Sequence, residues 1–134
     1  ETILVYGDYD VDGTTSVAMM YLFLKKHNTN IEYYIPCRDN EGYGISLKGI
    51  DYAKANNFSL IIALDCGIRA VKQVNYATKN AIDIIICDHH NPSKVIPDAI
   101  ASTLSPMHDL KVLIFEISAS IPVATPEVVT TSIN

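Results

Sequence analysis

Three short apolar runs, each closed by an acidic cluster, constrain the fold of this chain more than any other feature. Ile3-Leu4-Val5-Tyr6 leads into Asp8-Tyr9-Asp10-Val11-Asp12-Gly13, Leu60-Ile61-Ile62-Ala63-Leu64 into Asp65-Cys66-Gly67, and Ile82-Asp83-Ile84-Ile85-Ile86-Cys87 into Asp88-His89-His90. Apolar runs this short, rich in β-branched residues, read as strands buried on both faces. Carboxylates and imidazoles at the mouths of three such strands can converge on one point. Hard oxygen donors with imidazole suit Mn²⁺ or Mg²⁺, which points to a metal site and to metal-assisted phosphoryl chemistry.

The segments between the runs supply the rest of the architecture. The first strand is expected over Thr2 to Gly7. Gly13 ends a turn, the hydroxyls of Thr14, Thr15 and Ser16 are candidate N-caps, and a helix follows over Val17 to His27. A second strand is expected over Ile31 to Pro36, and Arg38 to Gly44 reads as a polar loop. Ser46 caps a helix over Leu47 to Asn56, with Gly49 as its weak position. A strand over Ser59 to Leu64, a helix over Ala70 to Lys79 and a strand over Ile82 to Cys87 complete the pattern. Strand and helix alternate at βαβ spacing, which predicts an α/β fold: a mainly parallel sheet with helices on both faces, a Rossmann-like three-layer arrangement. Such sheets bind ligands beyond the carboxyl ends of their strands, where all three acidic clusters fall. Past Pro92 the pattern weakens. Short strands are expected over Val95 to Ala101 and Leu110 to Ile117, with an extended tail over Ser118 to Asn134. Residues 1–106 read as one domain and residues 107–134 as a divergent tail with one further strand.

The totals narrow the function. At 134 residues, 49% of them hydrophobic, the chain can build one packed core. The formal net charge of -5 lacks the basic footprint of a protein that grips DNA nonspecifically, although bound metal would supply local positive charge. Cys37, Cys66 and Cys87 form no CxxC pair, which argues against a zinc cluster. Their odd number and the lack of a signal-like start suggest a reducing, cytoplasmic setting. The apolar runs are far short of a membrane span. Because the first strand begins one residue from Glu1, the chain is expected to start inside a longer protein.

Each cluster has a bland reading beside the functional one. Asp8, Asp10 and Asp12 stand at alternate positions and can fan around a cation, or form a solvated acidic turn; an EF-hand is disfavoured because a strand, not a helix, precedes them. Asp65 can bridge two cations or simply cap a helix. In Asp88-His89-His90 one imidazole can bind metal and the next can contact phosphate while Asp88 accepts a ring N–H; the alternative is a surface histidine pair. In the polar loop Arg38 can fork onto a phosphate and Tyr43 can stack on a base, or the loop can be an ordinary one with two turn glycines. Cys66 and Cys87 read as buried small hydrophobes. His27 and His108 are given no site role.

Val5-Tyr6-Gly7-Asp8-Tyr9-Asp10-Val11-Asp12-Gly13-Thr14-Thr15-Ser16, Asp65-Cys66-Gly67-Ile68 and Asp88-His89-His90 together resemble the first three motifs of the DHH phosphoesterase superfamily. Arg38 with Glu41-Gly42-Tyr43-Gly44 resembles the loop of its RecJ branch, and the likeness runs from about Ile3 to Pro106. The resemblance implies a 5′→3′ exonuclease on single-stranded DNA, active with Mn²⁺ or Mg²⁺, two ions in the complete enzyme, in DNA repair and recombination. It implies that Asp10 and Asp12 bind the two metals separately, that Asp65 bridges them, that His89 is a ligand, that Asp8 supports the cluster, and that His90, oriented by Asp88, faces the scissile phosphate. Arg38, Glu41, Gly42, Tyr43 and Gly44, with Thr15 and Ser16, would hold the DNA.

The likeness has gaps. The superfamily often has His where this chain has Tyr6, and Cys37 stands where the loop is expected to carry an acidic residue. A fourth motif with another metal-binding Asp has no counterpart here; Asp109 comes too early. A DNA-clamping second domain is also missing from these residues, so the active site is expected to be recognisable but incomplete. Two other readings stay open: a DHH phosphoesterase acting on oligonucleotides, cyclic dinucleotides or pyrophosphate, and an inactive DHH scaffold or metal-binding module.

Overall fold

A computed structural model describes residues 1–27 and 30–103. Its elements in chain order are β1 (Thr2–Gly7), α1 (Val11–Lys25), β2 (Asn30–Tyr34), α2 (Arg38–Glu41), α3 (Leu47–Ala55), β3 (Leu60–Leu64), α4 (Val71–Lys79), β4 (Asp83–Cys87) and β5 (Ala101–Thr103). The strands form one sheet in the order β2-β1-β3-β4-β5, every pair parallel. Helices cover both faces, as the alternation predicts. The strand expected at Leu110 to Ile117, the tail beyond it, His108 and Asp109 lie outside the described residues, as does the whole expected tail of residues 107–134.

Period-two alternation divides the strand side chains between two cores. Ile3, Val5, Leu60, Ile62, Leu64, Ile85 and Cys87 pack with Val17, Met20 and Leu24 of α1. Leu4, Tyr6, Ile61, Ala63, Ile84 and Ile86 pack with Ile50 and Ala53 of α3 and with Val74 and Ala77 of α4. Because both faces are covered, the central strands carry no polar face, which is why they read as unbroken apolar runs. Cys66 and Cys87 are buried and Cys37 is exposed.

Several local expectations are corrected. Helix α1 begins at Val11, not Val17: the Asp10 side chain is its N-cap and accepts from Gly13 N at 2.9 Å. The hydroxyls of Thr14 and Ser16 instead donate backwards to Asp10 O (2.7 Å) and Asp12 O (2.6 Å), a helix-interior pattern. Met19 and Leu22 of this helix are exposed. Residues 38–41 form a one-turn helix, not loop, because the Glu41 carboxylate folds back onto Cys37 N at 2.9 Å. The strand expected over Val95 to Ala101 starts only at Ala101. Ser46 does cap α3, accepting from Gly49 N at 2.9 Å. Gly49 is not a weak position: a Cβ there would lie 2.5 Å from the Tyr6 ring, so its absence lets the helix approach the sheet.

Candidate metal centre

The strand order places β1 and β3 side by side with their connections running to opposite sides. This is the switch point at which open parallel sheets bind ligands. Asp8 follows β1, Asp65 follows β3 and Asp88 follows β4. Gly13 closes the first turn of α1 onto this rim; a Cβ there would stand 2.6 Å from Asp8 O.

Asp65 takes a positive φ of 58° and is buried. The left-handed region costs a non-glycine residue about 1–2 kcal/mol, although Asp tolerates it better than most. Its N–H donates to Cys87 O at 2.8 Å, tying the end of β3 to that of β4. Asp65 Oδ1 lies 3.0 Å from His89 Nε2, yet the oxygen has no aligned hydrogen bond among the described residues. Ligand atoms of Asp65, His89 and His90 all fall within 4.8 Å of one another.

Asp88 is the organiser of the third cluster. One oxygen accepts from Ile68 N at 3.0 Å; the other accepts from His90 N at 3.0 Å and meets His90 Nδ1 at 2.7 Å. Burial would lift this carboxyl, but those donors outweigh it and hold it below the ordinary range. An ionised Asp88 fixes the proton on His90 Nδ1, which leaves Nε2 as the acceptor. The Tyr43 hydroxyl sits 3.2 Å from that Nε2 and donates to Asp65 O at 3.3 Å.

The carboxylates crowd each other. Asp8 is fully buried, and neither of its oxygens has a hydrogen-bond donor of good geometry among the described residues. Burial pushes the Asp8 carboxyl up; the nearby Tyr9 and Gly44 amides oppose this and the Asp10 charge adds to it. Burial likewise pushes Asp65 up, with Asp10 and Asp12 adding and His89 and His90 opposing. Buried carboxylate oxygens without donors, beside an imidazole nitrogen and two more carboxylates, form a donor set that fits a hard divalent cation.

The remaining sequence-selected residues divide by environment. Asp12 and Thr15 are exposed on the first turns of α1, whereas Ser16 is buried. Arg38 stacks over the Tyr9 ring at 5.5 Å, and Tyr9 meets Tyr43 edge-on at 6.2 Å. Glu41 is committed within its own loop: beyond Cys37 N it accepts from Tyr34 OH at 3.0 Å and Ser46 Oγ at 2.5 Å. Gly42 and Gly44 both take positive φ. Tyr6 points into the core, donates to Gly44 O and accepts from Ser46 N, each at 3.0 Å. It therefore fixes the loop from below, a role the sequence does not signal because a Tyr within an apolar strand reads simply as core. Tyr9 was also passed over; its signal was an aromatic ring inside an acidic cluster with an Arg available to cover it.

The model of the DHH family, N-terminal domain, matches residues 2–133. The chain is 44% identical over 98 residues to the single-stranded-DNA-specific exonuclease RecJ of Bacillus subtilis, covering 73% of this chain and 12% of that protein. Among solved structures it resembles exonuclease RecJ bound to manganese, with TM-score 0.68 and 31% identity over 75% of this chain and 26% of the other. It also resembles RecJ in complex with Mn²⁺ from Thermus thermophilus, with TM-score 0.62 and 26% identity over 75% of this chain and 14% of the other. The chain thus spans about an eighth of the length of the Bacillus relative.

Proposed function

We propose, from the fact that this chain belongs to the DHH family, that it carries part of the catalytic centre of a metal-dependent 5′→3′ exonuclease acting on single-stranded DNA. The observation that carries the reading is the pair of Asp65 Oδ1 and His89 Nε2, 3.0 Å apart and without an aligned hydrogen bond among the described residues, with His90 beside them. The RecJ relatives and their manganese-bound structures support the same chemistry.

Asp65 and His89, with the Asp10 and Asp12 carboxylates beside them, would hold Mn²⁺ or Mg²⁺. Bound cations would supply Lewis acidity and neutralise charge that develops on the phosphoryl oxygens. Asp8 backs the cluster as a buried negative charge. Asp88 orients His90 through its Nδ1–H, so that Nε2, when it carries a proton, donates to a phosphate oxygen in a fixed direction. Tyr43 steadies that imidazole, and Arg38, propped on Tyr9, reaches for the neighbouring phosphate. Thr15, Gly42 and Gly44 would contact the DNA strand. Glu41 and Ser16 act through the loop and helix they brace. Grip on the DNA strand, DNA repair and recombination roles, and a cytoplasmic setting belong to this reading. No helix among the described residues is long and apolar enough to cross a membrane.

Calorimetry with Mn²⁺, followed by an assay on 5′-labelled single-stranded DNA beside dinucleotides, tests this. Saturable Mn²⁺ binding that Asp65→Asn abolishes, with any hydrolysis favouring the longer strand, is expected. Preferential cleavage of dinucleotides would favour the short-substrate phosphoesterase, and Mn²⁺ binding without hydrolysis of either would favour a metal-binding module.

A further inference from the structure

A cavity of about 190 Å³ opens beside His90, on the side of α4, and its lining includes Tyr43, Ile45, Ile68, Arg69, Gln73 and His90. Ile45 and Ile68 are almost fully buried and give it a firm apolar floor, while Tyr43 is half exposed. Arg69 Nε donates to Asn91 O at 2.7 Å, which fixes the guanidinium and leaves its terminal nitrogens without a partner among the described residues. The Gln73 amide has no hydrogen bond there either, although the residue is partly buried. Asp88 also borders the space, but its oxygens are taken by Ile68 and His90.

We infer that this cavity is a nucleobase subsite, in which Tyr43, Ile45 and Ile68 cover the faces of one base while Arg69 and Gln73 hydrogen-bond its edge. The chemistry selects that ligand. A bare anion has no use for the apolar floor, and an aliphatic ligand would strand the amide and guanidinium. A planar heterocycle with donors and acceptors on its rim uses both. The volume is well under that of a site for a drug-sized ligand, so it suits a single ring system and not a whole nucleotide. His90 and Tyr43 belong to both the cavity and the rim of the metal centre, so a base seated here sets its own sugar-phosphate beside His90. A base in the cavity cannot be paired, which gives a physical basis for selecting unpaired strands. The inference rests on the phosphodiesterase reading for its meaning, but the binding it asserts needs no metal.

Nuclear magnetic resonance titration of this chain tests it, with deoxyadenosine monophosphate, deoxyribose 5-phosphate and inorganic phosphate as separate probes and no metal present. The nucleotide is expected to shift the Ile45 and Ile68 methyls and the Gln73 side-chain amide. Deoxyribose 5-phosphate should bind about tenfold more weakly, and Gln73→Ala and Arg69→Ala should each weaken the nucleotide by about three- to tenfold while leaving the fold intact. Equal shifts from inorganic phosphate would make this an anion site and overturn the inference. So would nucleotide shifts confined to Tyr9 and Arg38, or none at millimolar nucleotide. A parallel Mn²⁺ titration, read as paramagnetic broadening at His89, reports on the metal reading alone, so either can fail without the other.

Discussion

Asp65 combines three features that a structural residue would avoid. It is buried, it sits at positive φ, and one oxygen lacks an aligned donor among the described residues. Strain and desolvation at one residue mark a functional position when the surrounding fold enforces them. Asp65→Asn keeps the shape and the left-handed tolerance but removes the charge. Urea unfolding without cation should therefore show the variant more stable by about 1 kcal/mol, and added Mn²⁺ should stabilise the native chain but not the variant. Asp88→Asn tests the neighbouring device. The amide still accepts from Ile68 N–H, but it no longer holds a proton on His90 Nδ1. Nitrogen-15 spectra of the imidazole should show the proton moving to Nε2; an unchanged tautomer would remove Asp88 as its cause.

At the scale of elements, the loop that carries Arg38 and Tyr43 is held by a polar latch. Burial pushes the Glu41 carboxyl up, yet bonds from Ser46, Cys37 and Tyr34 prevail and keep it below the ordinary range; the same pairing lifts the Tyr34 hydroxyl, already raised by burial, to about 12. A carboxyl lowered in the folded state contributes stability above its unfolded value near about 4.3, and that contribution is lost as the pH falls through the folded value. Glu41→Gln should be less stable than the native chain at pH 7, and the gap should close as the pH drops below about 4. A constant gap would mean that Glu41 titrates alike in both states. Helix α4 offers a second test. Ala81, just past its C-cap, sits exposed at φ 56°, with Ile82 N donating to Ala77 O. Glycine is the preferred residue there, so Ala81→Gly should raise stability by about 1 kcal/mol. Helix α3 ends the same way, with Asn57 at φ 58°, where asparagine is already tolerated.

How much was legible in the sequence follows from these elements. The central strands were, since Ile61, Ile62, Ile84 and Ile86 need no polar face in a sheet covered on both sides. The start of α1 was not. Asp10 serves as a helix cap while standing in a candidate ligand cluster, and Thr14, Thr15 and Ser16 imitate caps further along. The turn of α2 escaped notice because a single polar turn has no periodicity; only the bond from Cys37 N to Glu41 makes it helical. The three acidic strand ends were legible as a set, but the geometry brings Asp65, His89 and His90 closest together, with Asp10 and Asp12 felt through their charge.

At the scale of the whole molecule, two cores pin the sheet from either side and concentrate negative charge at one rim, in a chain of net charge -5. Without a counter-ion that rim opposes folding; a cation that binds only the folded state adds about 2.7 kcal/mol at a hundred times its dissociation constant. Thermal unfolding should therefore shift upward with Mn²⁺ and by less with a monovalent salt of equal ionic strength. Equal shifts would reduce the effect to general screening. Anomalous diffraction from crystals of this chain grown with Mn²⁺ addresses the centre most directly. Manganese is expected within about 2.6 Å of both Asp65 Oδ1 and His89 Nε2. Manganese bound only elsewhere, or none at saturating concentration, would contradict the assignment of this rim as a metal centre.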